Sequence, residues 1–100
     1  MTELREPLRR FASWMEDVLR DNDHKGWWGS CSRDYLTRGL KAEVGELERA
    51  DARTPTEIVD FIRECCDVAN FAMMLADNAR AEAMKFPADE ICPWLRGDEP

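Results

Sequence analysis

Two pairs of acidic side chains with the same spacing could do chemistry in this sequence. Glu43 and Glu46 form one i, i+3 pair, and Glu64 and Asp67 form the other. Residues three apart in a helix lie within roughly 60° of each other, so each pair would present its carboxylates side by side. Carboxylate oxygens are the ligands that Mg²⁺ and Mn²⁺ prefer, with water and phosphate oxygens completing an octahedron. Two such helices facing each other would form a divalent-cation site.

Both pairs lie beside or within the apolar stripe of a predicted helix, which is an unusual position for carboxylates. Glu43 and Glu46 border the stripe of their helix, whereas Glu64 and Asp67 lie within the stripe of theirs. A buried carboxylate without a partner costs several kcal/mol, so such groups are normally ion-paired, protonated or bound to metal. The spacing leaves open that basic residues neutralise the acids in ordinary salt bridges. The candidates for this are Arg38, Lys41 and Arg63.

Two glycines accompany the first acidic pair. Gly39 lies one turn before Glu43 on the same helical row, and a glycine inside a helix costs about 1 kcal/mol relative to alanine. Its presence predicts open space in front of the acids and a group that approaches them. Gly45 points elsewhere and is predicted to allow close helix packing.

Three helices are predicted to position these residues, and no strand pattern competes with them, so the predicted fold class is all-α. Ser32 is a typical N-cap for the second helix. Thr54-Pro55-Thr56-Glu57 has the pattern of a capping box with proline at the first helical position. Residues 1–86 are predicted to form one domain, and residues 87–100, with three prolines, an irregular tail. The predicted helices run from residue 4 or 7 to 20, from 32 to 49, and from 54 to about 85.

Charge and composition exclude several functions. A net charge of -7 argues against a partner that is a nucleic acid polymer. A small polyphosphate still fits if a divalent cation bridges the like charges. No apolar run is long enough to cross a membrane, and the first residues lack a signal peptide, so a cytoplasmic protein is expected. The single histidine, His24, argues against zinc and di-iron sites, and the four cysteines do not form the pattern of a disulfide framework.

The motifs around the acids resemble those of a known family. "EVGEL" from Glu43 to Leu47 and "ECCDVANF" from Glu64 to Phe71 are similar to the ExxE and ExxD signatures of the MazG-like all-α NTP pyrophosphatases. Seventeen residues separate Glu46 from Glu64. With the preceding tryptophans, the resemblance covers about residues 26–78. A related branch that hydrolyses phosphoribosyl-ATP has tyrosine-histidine after the last acid, where this chain has Ala69-Asn70.

The resemblance implies a Mg²⁺-dependent nucleoside triphosphate pyrophosphohydrolase, with Mn²⁺ as an alternative ion. Such an enzyme converts an NTP or dNTP to the monophosphate and pyrophosphate, and house-cleaning of modified nucleotides is one form of that activity. Glu43, Glu46, Glu64 and Asp67 would hold the metal, and Glu46 or Glu43 would accept a proton from the attacking water. The helical bundle would be completed by homo-oligomerisation, as a homodimer or homotetramer. The sequence leaves open the base, the sugar and the number of metal ions.

The resemblance also implies a set of substrate contacts. Trp27 and Trp28 occupy a loop where related dCTP-type enzymes carry a tryptophan, and we expect one of the two to be core instead. Asn70 would bind substrate or hold a ligand in place, with a helix–helix hydrogen bond as the equal alternative. The remaining candidates are Phe71 for the base and Lys25, Arg33 and Arg38 for the phosphates.

A second function class stays open from the sequence. The chain could be a non-catalytic helical protein-interaction module in which the four acids form structural salt bridges. Stabilisation by Mg²⁺ and a nucleotide would favour the enzyme, because ligands that bind the native state raise its stability.

Overall fold

The chain folds as an all-α protein, as predicted. A computed structural model describes residues 3–97, and this part of the chain contains no strand. None of its helices combines the length and the apolar character needed to cross a bilayer. Short 3₁₀ turns at Asp23–Lys25, Trp28–Ser30 and Ala88–Glu90 lie between the helices. The helices are α1 (Glu6–Asp21), α2 (Arg33–Arg49), α3 (Pro55–Ala83) and α4 (Pro93–Arg96).

The helix starts follow from local capping, and both predicted caps are confirmed. The Ser32 side chain accepts a hydrogen bond from the Tyr35 amide at 3.1 Å and begins α2. At the start of α3, the Thr54 hydroxyl accepts from the Glu57 amide at 3.2 Å, and the Glu57 carboxylate accepts from the Thr54 amide at 3.0 Å. These bonds satisfy amides that have no partner within the helix, so the starts of both acid-bearing helices are fixed by sequence.

α3 is the central helix and packs against both α1 and α2. The Asn70 amide donates to the Met15 carbonyl at 3.2 Å, and Arg63 pairs with Asp21 at 2.7 Å, so α1 is antiparallel to α3. α2 is also antiparallel to α3, because Gly39 lies opposite Phe71, whereas Glu43, one turn later in α2, meets the earlier α3 residues Glu64 and Asp67. α1 and α2 therefore run in the same direction, and the loop 22–32 has to return along the length of α3.

The core of the single chain is small. The radius of gyration is 15.9 Å, against about 13 Å for a compact chain of 100 residues. Several large apolar side chains stay exposed on α1 and α3, among them Leu8, Trp14, Ile58 and Val59. Within residues 3–97 the buried apolar side chains are Val18, Leu36, Cys66 and Ile91.

The C-terminal segment is more regular than the irregular tail predicted for residues 87–100. Pro93 begins the short α4, and Ile91 is buried against the body. The Arg80 guanidinium donates to the Leu95 carbonyl at 2.6 Å, which holds the segment along α3. Trp94, in α4, has 83% of its surface exposed. Residues 98–100 of the predicted tail, like residues 1–2, lie outside the described residues.

Candidate metal centre

Three carboxylates converge where the middle of α2 faces α3. Glu43, Glu64 and Asp67 each offer one oxygen, and these oxygens all lie within 4.8 Å of one another. Each side chain is half-buried. Glu43 comes from α2, and the other two come from successive turns of α3, so the antiparallel packing of these helices creates the cluster. Residues 3–97 thus bring together three of the four acids proposed as ligands.

Glu46 lies at the edge of this cluster. Its carboxylate is beside those of Glu43 and Glu64, and its negative charge raises the pKa of both groups. Glu46 itself is exposed to solvent. It is therefore close enough to act on a molecule held by the three converging acids, and its side chain is more exposed to solvent than theirs.

Burial and mutual repulsion raise the pKa values of the cluster. Burial raises the pKa of Glu43 to about 7, with further contributions from the charges of Asp67 and Glu46. Burial is also the main cause that raises the pKa of Glu64 and that of Asp67. Because ionised carboxylates repel one another at these distances, the cluster favours a bound proton or a bound cation.

Two oxygens of the cluster are buried without a hydrogen-bond partner among the described residues, namely Glu43 Oε2 and Glu64 Oε2. The ion pairs within residues 3–97 also leave the four acids out. Arg63 pairs with Asp21, and Arg38 pairs with Asp34 at 3.4 Å on an exposed face. Unpaired oxygen donors of this kind fit a hard divalent cation such as Mg²⁺. The salt-bridge interpretation finds no support in this part of the chain.

The loop 22–32 carries one positive charge to the cluster. Lys25, in the first 3₁₀ turn, lies close enough to Asp67 that its charge lowers the pKa of that carboxyl, against the larger effect of burial. Arg63 acts on Asp67 in the same direction. Since Arg63 is already bound to Asp21, Lys25 is the group better placed to meet an anion at the cluster.

The same loop places the two tryptophans further along α3. Trp27 and Trp28 stack with their ring centroids 3.9 Å apart and 24° between their planes. Trp28 is half-buried and donates from Nε1 to Asp77 at 3.0 Å, while Asn78 donates to the Trp28 carbonyl at 3.1 Å. Trp27 is 66% exposed. The expectation that one of the pair is core is thus met in part by Trp28.

Comparison with protein-family models, with curated proteins and with solved structures finds no match. The chemistry of the acid cluster has to be inferred from its own oxygens, charges and neighbours.

The glycine predictions were wrong. A Cβ at Gly39 would lie 2.5 Å from Cε1 of Phe71, so the group that approaches this glycine is a ring of α3. Phe71 packs between the helices at this point. At Gly45 the atoms nearest to a Cβ belong to the Arg49 guanidinium of the same helix, the first at 3.2 Å. Gly45 therefore does not mark a close helix contact.

The other predicted contacts lie apart from the cluster or within the fold. Asn70 is 3% exposed and its amide is bonded to α1, which supports the helix–helix alternative. Arg38 is exposed and paired on α2. Asp77 and Asn78, which hold Trp28, were not found from the sequence. Nothing local marks them, because their partner is about fifty residues away along the chain.

Gly39→Ala is expected to destabilise the protein by about 1–3 kcal/mol, because the added methyl overlaps the Phe71 ring. Gly45→Ala is the matched control on the same helix. There only the flexible end of Arg49 has to move, and the helix gains up to about 1 kcal/mol of propensity. Urea unfolding followed by circular dichroism measures both changes. Equal effects of the two substitutions would show that Phe71 does not fill the space at Gly39.

Proposed function

We propose that this protein is a Mg²⁺-dependent nucleoside triphosphate pyrophosphohydrolase, which converts an NTP or dNTP to the monophosphate and pyrophosphate. One observation carries the proposal: Glu43, Glu64 and Asp67 bring their oxygens within 4.8 Å of one another, and the ion pairs of residues 3–97 supply none of them with a cation. Because these ion pairs give the acid cluster no positive partner, the cluster suits a substrate that binds together with a divalent metal ion.

Each of the four acids has a position that suits one role. Glu43, Glu64 and Asp67 would hold Mg²⁺, or Mn²⁺ in its place, and one oxygen each of Glu43 and Glu64 has no hydrogen-bond partner among the described residues. The bound ion neutralises phosphate charge and lowers the pKa of the attacking water. Glu46 is exposed at the edge of the cluster and would accept the proton of that water.

Substrate binding would use the loop 22–32. Lys25 lies near Asp67 and would contact a phosphate oxygen. Trp27 and Trp28 offer an aromatic surface to a base, because an exposed ring stacked on an anchored one is already ordered. Phe71 and Asn70 would act by holding α3 against its neighbours and not by touching substrate.

Incubation with Mg²⁺ and a panel of NTPs and dNTPs tests the activity. The expected product is pyrophosphate together with the nucleoside monophosphate, and chelation of Mg²⁺ should stop its release. Separation of the products by ion-exchange chromatography distinguishes this outcome from orthophosphate release. The proposal would be contradicted if orthophosphate were released in place of pyrophosphate. It would also be contradicted if no nucleotide of the panel were hydrolysed.

A homo-oligomer, either a dimer or a tetramer, is part of the same proposal. A cavity of about 250 Å³ lies between α1 and α3, and its apolar lining includes Trp14, Val59 and Ile62. These side chains are incompletely covered in the single chain, and Val59 is exposed. A second copy would bury this surface, as small cores commonly require. Light scattering should give a mass of at least two chains, and the mass of one chain at micromolar concentration would rule this part out.

A further inference from the structure

The contact between Gly39 and the Phe71 ring lies next to the acid cluster in the interface of α2 and α3. Gly39 is one turn before Glu43 in α2, and Phe71 is one turn after Asp67 in α3. Because the two helices are antiparallel, both steps run in the same direction along the interface. One turn of helix is about 5.4 Å long, so the glycine contact and the acids occupy adjacent turns.

The Phe71 ring packs directly against the backbone of α2. A Cβ at Gly39 would lie 2.5 Å from Cε1, 2.7 Å from Cζ and 3.1 Å from Cδ1 of the ring. Three atoms of a rigid ring face the glycine along one edge, so a small rotation of the ring cannot make room for a methyl group. The distance between packed helices depends on the side chains at their contact. Glycine at this position therefore lets α2 approach α3 more closely than any other residue would.

The acid cluster lies between this contact and the connection of the two helices. Residues 50–54 are the whole connection between the end of α2 and the start of α3. The connection restrains the two helices on one side of the cluster, and the glycine contact restrains them on the other side. Glu43 comes from α2, and Glu64 and Asp67 come from α3. The spacing of the helices at this level therefore sets how closely the three carboxylates approach one another.

We propose that Gly39 and Phe71 are positioning residues for the proposed metal, because their contact holds α2 and α3 at the spacing at which the acid cluster can share one cation. Neither residue binds the cation itself. One oxygen of Glu43 and one of Glu64 are buried without a hydrogen-bond partner among the described residues, and they come from opposite helices. A cation between the helices would satisfy both oxygens. The inference rests on the proposed function, since that function supplies the metal.

A close and fixed helix spacing favours a small ion. Mg²⁺ requires nearly ideal octahedral geometry at about 2.0–2.1 Å, whereas Ca²⁺ accepts flexible coordination at about 2.3–2.6 Å. A methyl group that pushes the helices apart should therefore weaken the binding of Mg²⁺ more than that of Ca²⁺. A substitution that only destabilises the fold would leave both affinities of the folded protein unchanged.

Isothermal titration with MgCl₂ and with CaCl₂ at pH 8 tests the proposal without turnover. Gly39→Ala should raise the Kd for Mg²⁺ by about tenfold or more, as disturbed support of metal ligands commonly does, and the Kd for Ca²⁺ by a smaller factor. Gly45→Ala is the matched control on the same helix, because its methyl group meets only the flexible end of Arg49. It should leave both Kd values unchanged. Far-UV circular dichroism at the temperature of the titration checks that each variant is folded.

Phe71→Leu tests the same contact from α3 and decides the question if Gly39→Ala does not fold. The substitution removes the ring edge that lies against the glycine, so Mg²⁺ binding should weaken severalfold. The double variant Gly39→Ala/Phe71→Leu should bind Mg²⁺ more tightly than Phe71→Leu alone, because the added methyl group takes up space that the ring has left. Such a departure from additivity is expected of residues in contact.

The proposal is overturned if folded Gly39→Ala, or Phe71→Leu where the former does not fold, binds Mg²⁺ as the parent does. Equal losses for Mg²⁺ and Ca²⁺ in Gly39→Ala, a double variant no better than Phe71→Leu, or a parent that binds neither ion at millimolar concentration would also overturn it. If Mg²⁺ binding follows the expected pattern and no nucleotide is hydrolysed, the positioning role stands and the proposed activity fails. If nucleotides are hydrolysed while Gly39→Ala binds Mg²⁺ as the parent does, the positioning role alone fails.

Discussion

Glu64→Gln and Asp67→Asn are each expected to lower pyrophosphate release by about 10²- to 10³-fold. Both residues would bind the metal through carboxylates that take part in none of the ion pairs of residues 3–97. Metal-ion stabilisation of phosphate charge is worth several kcal/mol, and each 1.4 kcal/mol corresponds to a factor of ten in rate. The measurement is kcat/KM for the best substrate at saturating Mg²⁺, with far-UV circular dichroism as the check that the helices persist.

Glu48→Gln and Asp60→Asn are the matched controls for this pair of substitutions. Each removes one negative charge from an exposed position, Glu48 on α2 and Asp60 on α3. Their activity should stay within about twofold of the parent, since isolated surface charges contribute little. Full activity in both Glu64→Gln and Asp67→Asn would contradict the proposal that these residues bind the metal.

Glu46→Gln tests whether the proposed proton acceptor acts separately from the proposed metal ligands. Because Glu46 lies at the edge of the cluster and is exposed, this variant should lose turnover while Mg²⁺ still stabilises the protein. A variant of a ligand should lose both responses. Loss of the Mg²⁺ response in Glu46→Gln would move this residue into the ligand set.

The sequence was sufficient for the parts of the site that depend on local structure. Ser32 and the Thr54–Glu57 capping box set the phase of α2 and α3, and the i, i+3 spacing then placed Glu64 beside Asp67. Their meeting with Glu43 required only that the two helices be antiparallel neighbours. The family resemblance, with the activity and metal that it implies, stays a prediction.

The parts that were missed depend on contacts between distant residues. The sequence does not reveal that Phe71 fills the space at Gly39, because a small residue can make room for a ring as readily as for a ligand. The bond from Trp28 to Asp77 and the pair of Arg63 with Asp21 each join residues more than forty positions apart. Helical spacing cannot predict which of these distant residues contact each other, because each contact depends on how the loop 22–32 returns along α3.

The cluster also makes the stability of the metal-free protein depend on pH. The folded-state pKa of Glu43 is about 7, above its ordinary value of 4.5. A carboxyl with a raised pKa contributes stability that is fully present below about pH 4.5 and is lost as the pH rises through 7. With chelator present, the contribution of Glu43 should therefore make the protein less stable at pH 8 than at pH 5.5. Mg²⁺ should restore stability at pH 8 and release protons when it binds near pH 6.

Glu43→Gln is expected to raise the melting temperature at pH 8 in chelator by several degrees. The substitution removes the ionised form from a partly buried cluster, which is worth about 1 kcal/mol after allowance for solvent screening. At pH 5.5 the parent side chain is mostly protonated, so the gain should shrink there. Mg²⁺ should stabilise this variant much less than the parent, and Glu48→Gln should behave like the parent at both pH values. A lower melting temperature for Glu43→Gln at pH 8 would mean that Glu43 supports the fold. A residue that weakens the apo protein when ionised and regains stability with a cation is what a binding site requires, because a salt bridge would already hold its positive partner.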